Sequence, residues 1–175
     1  MKKTETKKMI KNIVADIYDI YGLESPITDI QKAIEKLGGE LEISNKHKYR
    51  SCCKKSGNGF VIGVSSAYDK RRTRFSIAQE LGHLFLHMGY RTNKALWNTN
   101  EENTWDSKCG NLEEVLDENM FAYEFLMPEE EYRKIFESAK ENHKVDMAKV
   151  ADYFNVCISA AYNKGVEDGL IVRNY

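Results

Sequence analysis

Apolar residues in the first part of the chain recur with the period of a helix. One face carries Ile10, Ile13, Val14, Ile17 and Tyr21. Spacings of three and four residues are typical of an amphipathic helix, and Gly22 follows where such a helix would end. Ser25 and Pro26 predict an N-cap and first turn for a second helix. Its apolar face consists of Ile30, Ala33, Ile34 and Leu37.

The next segment has the patterns of β-strands. Leu41 and Ile43 alternate with polar residues, and residues 60–64 form a short apolar run after the turn-forming stretch 56–59. Alternation and short apolar runs bounded by turn residues favour strands. We therefore predict a small antiparallel sheet around residues 40–65.

The remainder predicts a mainly helical chain. Periodic segments indicate helices over residues 73–88, 112–127, 129–142, 146–154 and 159–168. Residues 94–110 lack periodicity and predict a loop, and residues 170–172 predict a short strand.

Composition places the chain among soluble globular proteins. Hydrophobic residues make up 42% and charged residues 30% of its 175 residues. The net charge of -1 gives no support to non-specific nucleic-acid binding. The apolar runs are too short to span a bilayer, and the first residues lack the apolar region of a signal peptide. We therefore expect a cytoplasmic protein whose four cysteines, Cys52, Cys53, Cys109 and Cys157, are free thiols.

One predicted helix carries a polar face that suggests metal chemistry. Gln79, Glu80, His83 and His87 fall within an arc of about 100° on a helical wheel. The pattern Q-E-x-x-H differs at its first position from H-E-x-x-H, in which two histidines hold zinc and the glutamate is the general base. Glu80 takes the base position and His83 that of the second ligand. On the pentapeptide alone, a buried helix with a hydrogen-bonded histidine is the favoured explanation of the pattern.

Longer blocks resemble the ImmA/IrrE family of metallopeptidase-fold regulators. Residues 74–87 read R-F-S-I-A-Q-E-L-G-H-L-F-L-H, and residues 119–128 read N-M-F-A-Y-E-F-L-M-P. The segment V-A-D-Y-F-N-V at residues 150–156, followed by S-A-A at 159–161, is similar to the closing helix-turn-helix-like segment of that family. The resemblance covers nearly the whole chain after residue 26.

This resemblance implies an α+β fold, a compact metallopeptidase-like domain of zincin or gluzincin type with a C-terminal helix-turn-helix-like segment. It implies a core over residues 1–128, including N-terminal helices over 5–39, and a helical segment over 129–175 packed on that core. It also implies zinc as the cofactor, held by two histidines of the site helix and a glutamate of the later helix. The implied partner is a helix-turn-helix repressor of XRE type, often encoded on a mobile element or prophage.

Two expected zinc ligands are replaced in this sequence. Gln79 stands at the first histidine, and Val115 stands where the resemblance places the glutamate. On the wheel, Val115 shares a stripe with Ala122 and Leu126, and the nearby acids point elsewhere. We therefore expect zinc to be absent or weakly bound.

Several residues remain weaker candidates. Gln79, His87, Glu114 and Glu118 are possible replacement ligands, and Asn119 matches a position that supports the ligands in the family. Phe60 and Ile62 are predicted to lie on a sheet edge that binds a partner peptide, and Trp97 and Trp105 on a lid or docking surface. The alternative for the tryptophans is a cover over the core. His47 and His143 lie in polar stretches and are predicted to be solvated.

The sequence is compatible with three functions. The favoured one is a catalytically impaired family member that binds or antagonises a repressor. The second is an active zinc endopeptidase that cleaves such a repressor with Gln79 or a replacement acid. The third is a DNA-binding or structural module, in which Asn163 and Lys164 of the last helix would read bases.

Overall fold

Two helices precede the sheet in the computed structural model, which describes residues 2–47, 51–106, 112–141 and 144–172. Helix α1 spans Lys2–Tyr21 and α2 spans Ile30–Lys36. Both predicted helices are confirmed, but the predicted N-cap at Ser25 is wrong. The α2 helix begins after Asp29, whose carboxylate accepts a hydrogen bond from the backbone N–H of Lys32 at 3.1 Å.

The sheet is mixed, which corrects the antiparallel prediction. It contains β1 (Gly39–Ser44), β2 (Ser51–Ser56) and β3 (Gly59–Ser65) in the order β1-β3-β2. Strand β3 pairs antiparallel with β2 through a tight hairpin and parallel with β1. The apolar run at residues 60–64 fits this central position, because Phe60, Ile62 and Val64 are fully buried and Val61 is half-buried.

The site helix begins after the sheet and changes its winding at its end. Helix α3 spans Lys70–Gly82 and continues directly into a π-helical turn at His83–His87. The predicted loop 94–110 is partly wrong, because α4 occupies Lys94–Thr99 after the N-cap Asn93. Residues 107–110, with Cys109, lie outside the described part of the chain.

Helix α5 (Leu112–Leu126) packs closely on α3 at Gly82. A Cβ atom at Gly82 would lie 3.1 Å from both Cα of Glu118 and Cβ of Phe121. Glycine therefore allows a close approach of the two helices at the residue that directly precedes His83.

The C-terminal part consists of α6 (Glu129–Ser138), a two-stranded ribbon (β4, Lys140–Glu141; β5, Lys144–Val145), α7 (Met147–Phe154) and α8 (Ile158–Glu167). Helix α6 ends earlier than the predicted residue 142, which lies outside the described residues with His143. The strand predicted at residues 170–172 is wrong. The N–H groups of Leu170 and Ile171 instead donate to the carbonyl of Gly165, which closes the end of α8.

One apolar core joins the parts of the chain before and after residue 128. It contains Phe121 and Phe125 of α5 together with Tyr132, Phe136 and Phe154 of the C-terminal helices. The Tyr132 hydroxyl donates to the carbonyl of Ala161 at 2.6 Å. Within the described residues, no helix combines the length and apolar character needed to cross a membrane.

Candidate functional site

Arg74 anchors the site helix to distant parts of the chain. Its side chain is buried and donates to the carbonyls of Ile27 at 2.6 Å and Asn155 at 3.1 Å. Buried polar groups require such partners, so the arginine links α3 to the α7–α8 turn and to the segment before α2. Because its guanidinium is buried and bonded to these carbonyls, Arg74 is not available to bind nucleic acid.

His83 lies between two carboxylates, one on each side of its ring. Nδ1 lies 2.9 Å from Oε1 of Glu118, and Nε2 lies 3.2 Å from Oδ2 of Asp106. Burial favours the neutral ring, but hydrogen bonds to Glu118 and Asp106 outweigh it and raise the pKa of His83. A ring that donates from both nitrogens is an imidazolium, which has no lone pair for a metal.

Glu118 corrects the helical-wheel prediction for the acids of α5. The side chain is buried and contacts His83, although the wheel placed it away from the site. The wheel took the stripe of Val115 as the centre of the buried face, but Phe121 and Phe125 are also fully buried. The buried face of α5 is therefore wider than one stripe and includes Glu118. The close approach of α5 to Gly82 places the Glu118 side chain at His83.

Gln79 and Asn119 are brought together as a hydrogen-bonded pair. The Gln79 amide Nε2 donates to Oδ1 of Asn119 at 2.8 Å. Val115 lies one turn before Asn119, is half-buried, and offers no ligand atom. Glu114 is also half-buried, and His87 lies with its ring centre 5.8 Å from that of His83.

Glu80 lies beneath the sheet and not in an open cleft. It is fully buried, and burial followed by the charge of Glu80 raises the pKa of the Cys53 thiol well above its ordinary value. A general base must reach water or substrate, and this carboxylate is closed to bulk solvent. Glu80, the predicted general base, is therefore not open to solvent in the described structure.

These residues do not fit a catalytic zinc site. Such a site needs three protein ligands converging on one point. Here the two nitrogens of His83 face opposite carboxylates, and the amide of Gln79 is bonded to Asn119. Across the described ranges, no three His, Cys, Asp or Glu side chains form a metal-binding group.

The sheet edge predicted at Phe60 and Ile62 is wrong. Phe60 and Ile62 are 1% and 0% exposed, because β3 is the central strand and α3 covers the sheet. An interior strand has no free edge for a peptide.

The two tryptophans lie at different places. Trp97 borders an open groove of about 870 Å³ together with Tyr90, Lys55, Arg91 and Glu102. Trp105 lies outside that lining, and its ring centre is 4.9 Å from that of His47. The groove is a concave surface with an aromatic wall and a mixture of charges.

His47 was predicted to be solvated, but its side chain is only 8% exposed. Its Nδ1 lies 3.4 Å from Sγ of Cys52, and its Nε2 lies 3.2 Å from Oε1 of Glu42. Gly63 makes room for the ring, since a Cβ there would lie 2.6 Å from it. Burial, with smaller effects from the charges of Glu80 and Glu42, raises the pKa of Cys52 to about 11, so the thiol stays protonated at neutral pH.

Asp106 was missed by sequence reasoning. It follows Trp105 in a stretch without periodicity, and nothing in that stretch indicates a contact with a histidine 23 residues earlier. Its backbone pairs with Cys53 of β2, which carries its carboxylate to His83.

Comparisons with known proteins agree with this architecture. A family model described as Peptidase_M78, IrrE N-terminal-like domain, matches residues 40–164. A Mycobacterium tuberculosis transcriptional regulator has a similar structure, with a TM-score of 0.58 and 13% sequence identity over 88% of this chain and 45% of that chain. The chain thus spans less than half the length of that regulator, and at this identity the likeness concerns the fold. No curated protein matches the chain.

Proposed function

Because the chain belongs to the Peptidase_M78 (IrrE N-terminal-like) family, we propose that it is a regulator that binds a helix-turn-helix repressor without cleaving it. We further propose that the chain is a catalytically impaired member of the family, encoded on a mobile element or prophage. In this proposal the peptidase fold supplies a binding surface, and the residues around His83 stabilise that surface.

The state of His83 is the observation that carries the proposal. Glu118 and Asp106 occupy both ring nitrogens. The two replaced ligand positions offer an amide bonded to Asn119 and an aliphatic side chain. The partners of both His83 nitrogens are therefore carboxylates of the chain. Glu80 is fully buried, whereas a general base must contact water.

An active zinc endopeptidase is the second candidate. The contact between His83 and Glu118 favours it, because histidine and glutamate are common zinc ligands. A zinc site built on this pair would require Asp106 to leave Nε2 and a third donor to approach. Zinc in that site would act as a Lewis acid on a carbonyl or on water.

A DNA-reading role has less support. Lys164, the main candidate on α8, is 2% exposed, and its Nζ lies 2.5 Å from Oε2 of Glu124 and 3.0 Å from Oδ2 of Asp168. A buried lysine held by two carboxylates cannot reach a phosphate or a base edge.

Co-purification separates the first two candidates. The tagged chain is expressed with a helix-turn-helix repressor encoded beside its gene and purified in chelator. We expect a complex in which the repressor keeps its full mass by intact mass spectrometry. The Glu80→Gln variant serves as a control and should behave like the parent. A truncated repressor, or a complex that forms only after zinc is added, would contradict the proposal.

A further inference from the structure

The outer edge of β2 is covered by a short segment of the same chain, residues 102–106, which we call the strap. The N–H of Cys53 donates to the carbonyl of Asp106 at 3.1 Å, and the N–H of Asp106 donates to the carbonyl of Cys53 at 2.8 Å. The N–H of Asn103 donates to the carbonyl of Lys55 at 3.0 Å. The strap therefore lies where an added strand would extend the sheet.

Three strap side chains find partners on the sheet and the site helix. The Glu102 carboxylate lies 3.3 Å from Nζ of Lys55 and accepts from the N–H of Gly57 at 3.1 Å. The Trp105 ring lies against His47 and beneath Nζ of Lys54, 4.6 Å from the ring centre. The Asp106 carboxylate reaches His83. These contacts define an acidic position, an aromatic position and a second acidic position along β2.

The strap occupies this edge imperfectly. Its two bridges to β2 run in opposite senses, antiparallel at Asp106 and parallel at Glu102. Asn103 between them has a φ of 58°, a left-handed conformation that interrupts a strand. The side chains of Glu102 and Asp106 are 49% and 48% exposed, and ion pairs this exposed are weak. A regular strand with the same side chains would make more backbone bonds to β2.

We propose that the β2 edge is a docking site for an extended partner segment that carries an aromatic residue followed by an aspartate. In this proposal the strap is a built-in competitor that must leave before the partner binds. Backbone hydrogen bonds to β2 would supply affinity, and His83 with the His47–Lys54 surface would select the aspartate and the aromatic ring. The inference rests on the proposed binding function and names the surface that performs it.

Hydrogen exchange on the full chain measures strap opening directly. In Asp106→Ala, the amide of Cys53 should exchange about fivefold faster or more, because the contact between the Asp106 carboxylate and Nε2 of His83 is lost. Thr104→Ala is the matched control, since its hydroxyl contacts Glu101 within the same loop. If Asp106→Ala fails to fold, Trp105→Ala removes the second anchor. Unchanged exchange at Cys53 in a folded anchor variant would overturn the competitor role.

A peptide probe tests the edge itself. A synthetic peptide with the sequence of residues 101–106, E-E-N-T-W-D, should bind Asp106→Ala about fivefold more tightly than the parent and protect the Cys53 amide. The same peptide ending in W-A should lose this binding. Absence of binding to the strap variant at millimolar peptide, or protection elsewhere, would overturn the docking site. Repressor capture without peptide binding would reject the edge alone, whereas peptide binding without repressor capture would reject the proposed function alone.

Discussion

At the scale of single residues, His83 shows how two carboxylates can occupy both nitrogens of one histidine. A buried carboxylate beside an imidazole needs a compensating positive charge. Zinc bound to the ring, or a proton on the ring, can provide that charge. Here the ring is placed to carry the proton, between Glu118 and Asp106. Asp106 thus competes with any metal for Nε2.

Restoration of the ligands should therefore depend on Asp106. Gln79→His with Val115→Glu should raise zinc affinity only modestly, and addition of Asp106→Ala should raise it further, because Nε2 of His83 becomes available. Calorimetry with zinc measures the affinities, and Gln79→His alone is the control. Equal affinities for the double and triple variants would show that Asp106 does not block the metal.

The thiol of Cys52 should be slow to react. A pKa of about 11, against an ordinary value of about 9, lowers the thiolate fraction at neutral pH by roughly 100-fold. Iodoacetamide labelling followed by peptide mapping should modify the half-exposed Cys157 well before Cys52. The two should react alike after unfolding. Fast labelling of Cys52 in the folded chain would indicate that His47 removes its proton.

At the scale of elements, the contact between α3 and α5 organises the site. Gly82 allows α5 to approach closely, and this approach brings the Glu118 carboxylate to His83. The π-helical turn then carries His83 to His87 out of the regular helical register. A wheel with one constant angle therefore loses its validity at the histidines.

Gly82→Ala should lower the free energy of unfolding by roughly 1 kcal/mol, because overpacking against the backbone of α5 outweighs the better helix propensity of alanine. Urea unfolding provides the measurement. A gain of about 1 kcal/mol, the plain helix-propensity effect, would show that α5 can move away at no cost.

At the scale of the whole molecule, ion pairs connect the first helix to the C-terminal part. Lys11 of α1 contacts Glu129 of α6, and Lys7 lies 3.0 Å from Asp168 beyond α8. Buried Lys164 joins α8 to Glu124 of α5. These pairs supplement the apolar core between α1 and the helices α5, α6 and α8.

Acid should weaken the connection through Glu129. Burial opposes ionisation of this carboxyl, but hydrogen bonds from Lys11 and Arg133 outweigh it and lower its pKa to about 2. The folded pKa of Glu129 is lower than its unfolded value of about 4.3. The ionised carboxylate therefore stabilises the fold at pH values above 4.3, and this contribution is lost as the pH falls towards 2. Glu129→Gln should cost about 1–2 kcal/mol at pH 6, after allowance for solvent screening, and less at pH 3. An equal cost at both pH values in urea unfolding would contradict the assignment.

Local patterns in the sequence were sufficient to predict most helices and to identify the family. Helix α1 and helices α5, α7 and α8 follow apolar periodicity, which depends on residues within one or two turns. The predicted ligand positions at Gln79 and Val115 likewise follow from the chain itself, because the flanking blocks of the resemblance set the register. Residues near each other in sequence carry this information.

Only the tertiary structure decided the sheet order, the position of Glu118 and the strap. Strand β3 passes between β1 and β2, and the contacts of His83 come from residues 35 and 23 positions away. Such contacts depend on how packed elements approach each other, here at Gly82 and where the strap lies along the edge of β2. The periodicity of the sequence carries no information about that approach. The sequence therefore predicts which ligand positions differ from the family pattern, whereas the carboxylates around His83 could not be predicted from it.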